Sequence, residues 1–173
     1  MRETVSIFML AAIALVSLPS GSVFARAQLG EAAPALIVPE LDGQTFDLGA
    51  ERGKVVVINF WATWCQPCRE EMPALNAFYL RYRDKGLVMI GVSADRPHDR
   101  SEVAKAMQSL SYPVAMMRDA KANGFGAPVT LPTTFIVGRD GIVRAMLTPD
   151  ETKVTEASLG KAVLPLLPSK PAS

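Results

Sequence analysis

A seven-residue apolar run, Val55–Trp61, constrains the fold more than any other stretch of this 173-residue chain. The run is VVVINFW, rich in β-branched and aromatic residues, with little alternation of polar and apolar positions. A strand with one solvated face would alternate, so this one must be covered on both faces. The sequence therefore predicts a central strand with packed layers on both sides.

The residues after this strand predict an amphipathic helix. Apolar side chains recur at three- and four-residue intervals from Met72 to Tyr82, which is the spacing of one helical face. Gly86 is the candidate C-cap, and Pro73 predicts a kink inside the helix. A buried strand that leads directly into a helix is typical of a layered α/β fold.

The remaining elements complete an α/β sandwich around a mixed sheet. The Asp42-Gly43 turn predicts a small N-terminal β-hairpin between Ala33–Pro39 and Thr45–Leu48. The other elements are predicted, in order, as a strand (Leu87–Val92), a helix from an Asp99-x-x-Glu102 capping box to about Leu110, a strand (Pro113–Met117), a loop (Asn123–Thr130), a hairpin (Thr133–Val137 and Ile142–Leu147) and a helix from Glu151 to about Leu164.

Residues 1–27 are predicted to be a signal peptide. Arg2 precedes an apolar run, Val5–Leu18, that is shorter than the roughly 20 residues needed to span a bilayer. Ala25-Arg26-Ala27 then supplies a small-x-small cleavage site. Glu3 weakens the basic start, so an uncleaved membrane anchor at residues 5–18 stays as the alternative. Residues 28–168 are predicted as one domain and residues 169–173 as a disordered tail.

Charge excludes some classes of partner. Without the leader, 16 basic and 16 acidic residues remain, and no basic stripe argues for nucleic acid. No large exposed apolar stripe demands a partner chain, so we expect a monomer. An exported chain folds outside the cytoplasm, where disulfides persist.

Both cysteines of the chain, Cys65 and Cys68, lie at the junction of the predicted strand and helix. As a structural staple, the pair would close a loop of only four residues, which limits its stabilisation to about 2 kcal/mol. A structural zinc site needs four ligands, and the only other soft ligand, His98, lies on a different predicted element. The spacing favours redox chemistry, with the staple and the metal site as alternatives.

The position of Cys65 in the first helical turn predicts a reactive thiolate. Unpaired N–H groups and the positive end of the helix dipole favour the anion there. A lowered thiol pKa makes Cys65 the attacking nucleophile, and Cys68, one turn later, can resolve the mixed disulfide. Pro67 is tolerated in this first turn, where its missing N–H costs nothing.

The segments NFWATWCQPCREEMPAL, GLVMIGVSAD, LPTTFIV and RDGIV resemble the TlpA/ResA-like branch of the thioredoxin superfamily, with CcmG/DsbE proteins as close relatives. The resemblance runs from about Ala33 to Leu147, and its most specific combination is WCxPC with a downstream LPTT. It implies a thioredoxin-like fold and a periplasmic or membrane-linked thiol-disulfide oxidoreductase that uses no cofactor or metal.

The resemblance also implies roles for individual residues. Cys65 corresponds to the exposed nucleophile, Cys68 to the resolving thiol, and Trp64 to an aromatic residue packed beside them. Pro132 corresponds to a cis-proline that faces the disulfide. The backbone of Leu131 would then pair with the extended chain of the substrate.

Two further residues of the cysteine segment receive roles. Pro67 joins Trp64 and Leu131 as an implied substrate contact. Glu71 matches the position of an acidic residue in the family, and a partly buried carboxyl beside two thiols should have a raised pKa and relay protons. The alternative is a solvated first-turn glutamate that favours the helix dipole, which is also the interpretation of Glu70.

The chain departs from the thioredoxin pattern at Asn59. Cytoplasmic thioredoxins keep a buried aspartate six residues before the first cysteine, and asparagine cannot titrate. Acid–base help would then come from Glu71 or from water. The GFGAPVTLPTT approach to Pro132 is longer and richer in glycine than a minimal one, and it is similar to the GVYGAP segment of the CcmG branch.

Three functional hypotheses follow. The first is a protein-disulfide reductase fed by a DsbD/CcdA-type membrane donor, acting in cytochrome c maturation or copper-centre assembly, as the resemblance implies. The second is an oxidant that uses the same residues in the opposite direction. The third is a copper(I) metallochaperone that binds metal through its two thiolates. A peroxidase is disfavoured because Ala62, not threonine, precedes Cys65 by three positions.

Overall fold

The computed structural model describes residues 27–168. The predicted signal peptide or anchor therefore lies outside the described residues, apart from Ala27, and so does the predicted tail at residues 169–173. None of the helices in the described part has the length and apolar character needed to cross a bilayer.

Within residues 27–168, the fold consists of eight strands and three α-helices, together with short 3₁₀ turns. The strands are β1 (Leu36–Pro39), β2 (Thr45–Asp47), β3 (Val55–Trp61), β4 (Leu87–Ser93), β5 (Val114–Met116), β6 (Ala122–Asn123), β7 (Thr133–Val137) and β8 (Val143–Leu147), and the helices are α1 (Gln66–Tyr82), α2 (Arg100–Met107) and α3 (Glu156–Val163). A five-stranded sheet has the order β5-β4-β3-β7-β8, and a three-stranded sheet has the order β2-β1-β6. Strands β3, β4 and β5 are parallel, whereas β7 and β8 are antiparallel additions, so the predicted mixed sheet is confirmed.

Strand β3 is buried along its whole length because different layers cover its two faces. Val55 and Val57 pack in a core that contains residues of all three helices. Val56, Ile58 and Phe60 pack in a second core, which among residues 27–168 takes nothing from those helices and is built with the small sheet instead. The N-terminal hairpin thus covers one face of the central sheet, which explains the missing alternation in VVVINFW.

Helix α1 has the predicted ends. It begins after Cys65 and runs to Tyr82, followed by a 3₁₀ turn and by Gly86 in the left-handed region at φ +89°. Pro73 lies inside the helix, and the kink expected at this residue stays a prediction.

The starts of the other two helices differ from the predicted capping patterns. Helix α3 begins at Glu156, because Thr155 and Ser158 form a reciprocal capping box with N···O distances of 3.1 and 2.8 Å. The predicted start at Glu151 is therefore wrong. Helix α2 begins at Arg100, directly after its N-cap residue Asp99, as predicted, and ends at Met107, short of the predicted Leu110. The predicted capping box at Asp99 is wrong, because the Asp99 side chain makes no cap hydrogen bond and its Oδ1 lies 3.4 Å from His98 Nε2.

Candidate active site

Strand β3 and helix α1 place Cys65 at the start of the helix. Cys65 is the N-cap residue, and its Sγ accepts a hydrogen bond of 3.3 Å from the Cys68 N–H. Its own N–H donates to the Ala62 carbonyl at 3.1 Å, which closes the turn between strand and helix. Pro67 lies in the first helical turn. The Cys68 N–H, a backbone donor that favours a thiolate, is therefore directed at Cys65 Sγ.

The two cysteines form a disulfide, so the structure describes the oxidised state. Cys65 is 6 % exposed and Cys68 is 2 % exposed. Cys68 is the deeper of the two, as predicted. The prediction that Cys65 is exposed is wrong for the oxidised state. Cys65 is nearly buried and reaches solvent as part of the lining of a groove.

A groove of about 560 Å³ gives access to Cys65. Its lining residues are Trp64, Cys65, Gln66, Pro67, Ala94, Met117, Ala127, Pro128, Val129, Thr130 and Leu131. Trp64 and Val129 are 70 % and 88 % exposed, respectively, although both are large apolar residues. Exposed apolar side chains around a reactive group are typical of a surface that binds another polypeptide.

The segment before β7 brings Leu131 to this groove. The Leu131–Pro132 peptide bond is cis, as the resemblance implied. Leu131 is half-buried and lines the groove together with Cys65, whereas Pro132 is buried and is not among the lining residues. Thr133 Oγ1 donates to the Thr130 carbonyl at 2.7 Å and holds this turn. The contact between Pro132 and the disulfide stays a prediction.

Glu71 lies in the second turn of α1 and is buried, with 2 % of its surface exposed. Its Oε1 accepts a hydrogen bond of 3.0 Å from the Val154 N–H, and its Oε2 has no hydrogen-bond partner among the described residues. Burial raises the pKa of the Glu71 carboxyl, although the Val154 hydrogen bond and the Lys153 charge oppose this effect. The alternative of a solvated glutamate is wrong. Its neighbour Glu70 is exposed, as predicted, and lies 3.2 Å from Lys153 Nζ.

Asn59 lies in the buried part of β3. It is 2 % exposed, and its Nδ2 donates to Thr134 Oγ1 at 2.9 Å. The amide is therefore a structural link between β3 and β7 and carries no titratable proton. Of the two buried side chains discussed for proton transfer, only Glu71 can titrate.

Asp95 is a buried carboxylate that the sequence patterns did not assign to the site. It follows β4, and its oxygens accept hydrogen bonds from Thr63, two residues before Cys65. Because β3 and β4 are parallel, their carboxyl ends meet at one sheet edge, where α/β proteins place their ligands. This rule, applied to the GVSAD segment, is the signal that could have found Asp95.

Metal-binding side chains are not clustered in the part of the chain that the structure describes. Across residues 27–168, no group of three or more histidine, cysteine, aspartate or glutamate side chains is arranged to hold a metal ion. His98, the other soft ligand considered from the sequence, is exposed on the 3₁₀ turn that precedes α2.

A model of the AhpC/TSA family matches residues 29–146. The chain belongs to this family. Among curated relatives, the thiol-disulfide oxidoreductase ResA of Bacillus cereus is 35 % identical over 128 residues, which is 74 % of each chain. ResA of Geobacillus thermodenitrificans is 35 % identical over 126 residues, or 72 % of each chain.

Solved structures agree with these relatives. A thiol:disulfide interchange protein of the thioredoxin family from Chlorobium tepidum TLS is 26 % identical, with a TM-score of 0.62, and the match covers 80 % of this chain and 99 % of that one. The predicted thioredoxin-like fold and the ResA-like resemblance are confirmed. The chain is a thiol-disulfide oxidoreductase. Its Cys65–Cys68 disulfide is the kind of group that undergoes thiol-disulfide exchange.

Proposed function

We propose that this oxidoreductase is an extracytoplasmic protein-disulfide reductase that works through Cys65 and Cys68. The proposal rests on the position of Cys65, which caps α1 and lines an apolar groove. In the dithiol form, the Cys65 thiolate attacks a disulfide of the substrate. A new S–S bond joins Cys65 to the substrate, and the released substrate thiolate takes up a proton.

Cys68 completes the exchange. Its thiolate attacks Cys65 Sγ, which breaks the mixed disulfide, forms the Cys65–Cys68 disulfide and releases the second substrate thiol. Two electrons have then passed from the dithiol to the substrate, and the exchange uses sulfur chemistry alone. A donor must next reduce the Cys65–Cys68 disulfide before another turnover.

Glu71 is proposed to take the proton from Cys68. It lies three residues after Cys68 in α1, and residues at this spacing are neighbours on a helix surface. Burial raises the pKa of the Glu71 carboxyl towards that of a thiol. The free-energy cost of moving a proton from the thiol to this carboxyl is therefore smaller than for a solvated carboxylate. Its Oε2, which has no partner among the described residues, is the atom available for this transfer.

The groove supports a polypeptide substrate. Trp64, Pro67 and Leu131 are proposed as substrate contacts, with the Leu131 backbone pairing with an extended chain beside the disulfide. Pro132 is proposed to hold this backbone next to Cys65.

The partners and the compartment follow from the resemblance. We assign electron supply to a DsbD/CcdA-type membrane protein, and we assign the substrates to apocytochrome c or a copper-centre assembly protein. The ResA relatives and the predicted leader at residues 1–27 support these assignments. The domain at residues 28–168 would then act as a monomer in the periplasm, free or tethered by residues 5–18.

Trapping of the mixed disulfide tests the proposal. A Cys68→Ser variant, produced in full length, should accumulate mixed disulfides through Cys65, and mass spectrometry should identify apocytochrome c or a copper-assembly protein in them. Cys65→Ser is the matched control and should trap nothing. Full disulfide-reductase activity in Cys65→Ser would overturn the mechanism.

The reduction potential tests the direction of electron flow. A value of about −270 mV, close to that of thioredoxin, would support a reductase. A value of about −120 mV, close to that of DsbA, would instead support an oxidant and contradict the proposed direction.

A further inference from the structure

Three side chains behind the groove form a compact hydrogen-bonded unit, which we call the Asp95 clamp: Thr63, Ser93 and Asp95. Asp95 Oδ2 accepts from the Thr63 N–H at 2.9 Å, and Oδ1 accepts from the Thr63 hydroxyl at 2.6 Å. The Ser93 hydroxyl donates to Oδ2 at 2.7 Å and accepts from the Asp95 N–H at 3.0 Å. Both carboxylate oxygens are therefore used.

The clamp is a strong connection because it is buried. Asp95 is 1 % exposed and Ser93 is fully buried. A buried carboxylate persists only where hydrogen bonds replace its lost hydration, and hydrogen bonds to a charged group are about twice as strong as neutral ones. Moving Thr63 away would leave this charge with unfilled acceptor sites, so the clamp resists displacement of the Thr63 backbone.

The clamp joins two segments that both line the groove. Trp61 pairs with Ser93 in the sheet, and the Ala94 N–H donates to the Trp61 carbonyl at 2.8 Å. After this pair the two chain segments separate. Thr63-Trp64-Cys65 follows β3, and Ala94-Asp95 follows β4. Trp64, Cys65 and Ala94 line the same groove, so the clamp fixes these parts of its wall relative to each other.

We propose that Asp95 is a positioning residue for Cys65, and that it acts chiefly in the dithiol state. This inference rests on the proposed attack by a Cys65 thiolate. In the oxidised state, the S–S bond to Cys68 holds Cys65 at the helix start. Reduction removes that bond. The Cys65 N–H···Ala62 hydrogen bond and the clamp, acting two residues away through Thr63, then keep Sγ within reach of the Cys68 N–H.

The proposal predicts the direction in which the reduction potential changes when the clamp is weakened. A loosened turn destabilises the thiolate more than the disulfide, so the Cys65 thiol pKa rises and the protein becomes more reducing. A carboxylate that acted through its charge alone would have the opposite sign, because its removal would relieve repulsion and lower the thiol pKa.

Thr63→Val tests positioning while it keeps the Asp95 charge. We expect the equilibrium constant with glutathione to change about tenfold towards the oxidised protein, which is about 30 mV for a two-electron couple. The rate of Cys65 alkylation against pH should show a raised thiol pKa. Thr63→Ser restores the hydroxyl and should stay within about twofold of wild type, as should Thr45→Val, an exposed control on β2.

Asp95→Asn separates positioning from charge. One amide oxygen cannot accept from all three donors, so we expect this variant to shift the equilibrium in the same direction as Thr63→Val. A shift in the opposite direction would overturn the proposal. So would equal destabilisation of the oxidised and reduced forms in guanidinium with an unchanged potential, which is the signature of a purely structural clamp. Disulfide trapping by the Cys68→Ser protein is independent of these variants, so the proposed function can stand where the clamp proposal fails.

Discussion

Reduction of the Cys65–Cys68 disulfide should cost the fold little. The bond closes a loop of four residues, and the chain-entropy relation gives a contribution of about 2 kcal/mol to the free energy of unfolding for a ring of this size. Strand β3 is held by β4 and β7, and α1 packs on the sheet through Met72, Leu75 and Phe78. These contacts do not depend on the sulfurs.

The cost should also depend on pH. In the unfolded chain the Cys65 thiol has a pKa of about 8.5, and at a helix start it is lower. A lowered folded pKa adds stability to the reduced form above that pKa, and this stability is lost as the pH falls through it. For a folded pKa of about 7, the gain is about 1 kcal/mol at pH 8 and close to zero at pH 5. The difference between oxidised and reduced protein should therefore shrink as the pH rises.

Guanidinium unfolding of both forms at pH 5 and pH 8, followed by tryptophan fluorescence, measures this difference. A Cys65→Ala/Cys68→Ala double variant is the control: it should match the reduced form at pH 5 and lack the gain at pH 8. A loss above roughly 4 kcal/mol on reduction, or outright unfolding, would refute the argument and favour the structural staple.

Three further changes test the buried groups and the caps. Burial raises the pKa of Glu71, so the folded state holds that proton more tightly and wild type should lose stability as the pH rises through this pKa. Glu71→Gln should lack this loss in unfolding titrations from pH 4 to 8, and parallel curves would contradict it. Asn59→Asp places a carboxyl at a buried site, beside the Thr134 hydroxyl. A pKa rise of about three units there would cost about 4 kcal/mol at pH 7 and less than about 1 kcal/mol at pH 4; an equal cost at both values would count against the burial argument. Thr155→Ala removes the α3 cap and should cost about 1 kcal/mol, whereas Thr152→Ala, at an exposed position, should change the free energy of unfolding by less than about 0.5 kcal/mol.

The central part of the fold could be predicted because its signals are local. Val55–Trp61 has the composition of a doubly covered strand, and the cysteines follow it directly. The cis Leu131–Pro132 bond, in contrast, follows only from the resemblance, since no local pattern distinguishes it from an ordinary proline at the start of a strand.

The missed features depend on tertiary contacts or on less common caps. The α3 cap uses Ser158 where the usual capping box has glutamate or glutamine, so the usual pattern does not mark this helix start. The burial of Glu71 depends on Val154, which is distant in sequence. Asp95 joins the site because two parallel strands end side by side, and no local pattern in its own segment marks it, so only the strand-end rule for parallel sheets could have found it.

The pKa of the Cys65 thiol in the reduced wild-type protein tests the account most directly. The rate of Cys65 alkylation by iodoacetamide against pH measures it, with Cys65→Ser as the blank. The helix-start geometry predicts a pKa clearly below the ordinary value of about 8.5. A pKa at or above that value would contradict the claim that the start of α1 makes this sulfur a nucleophile.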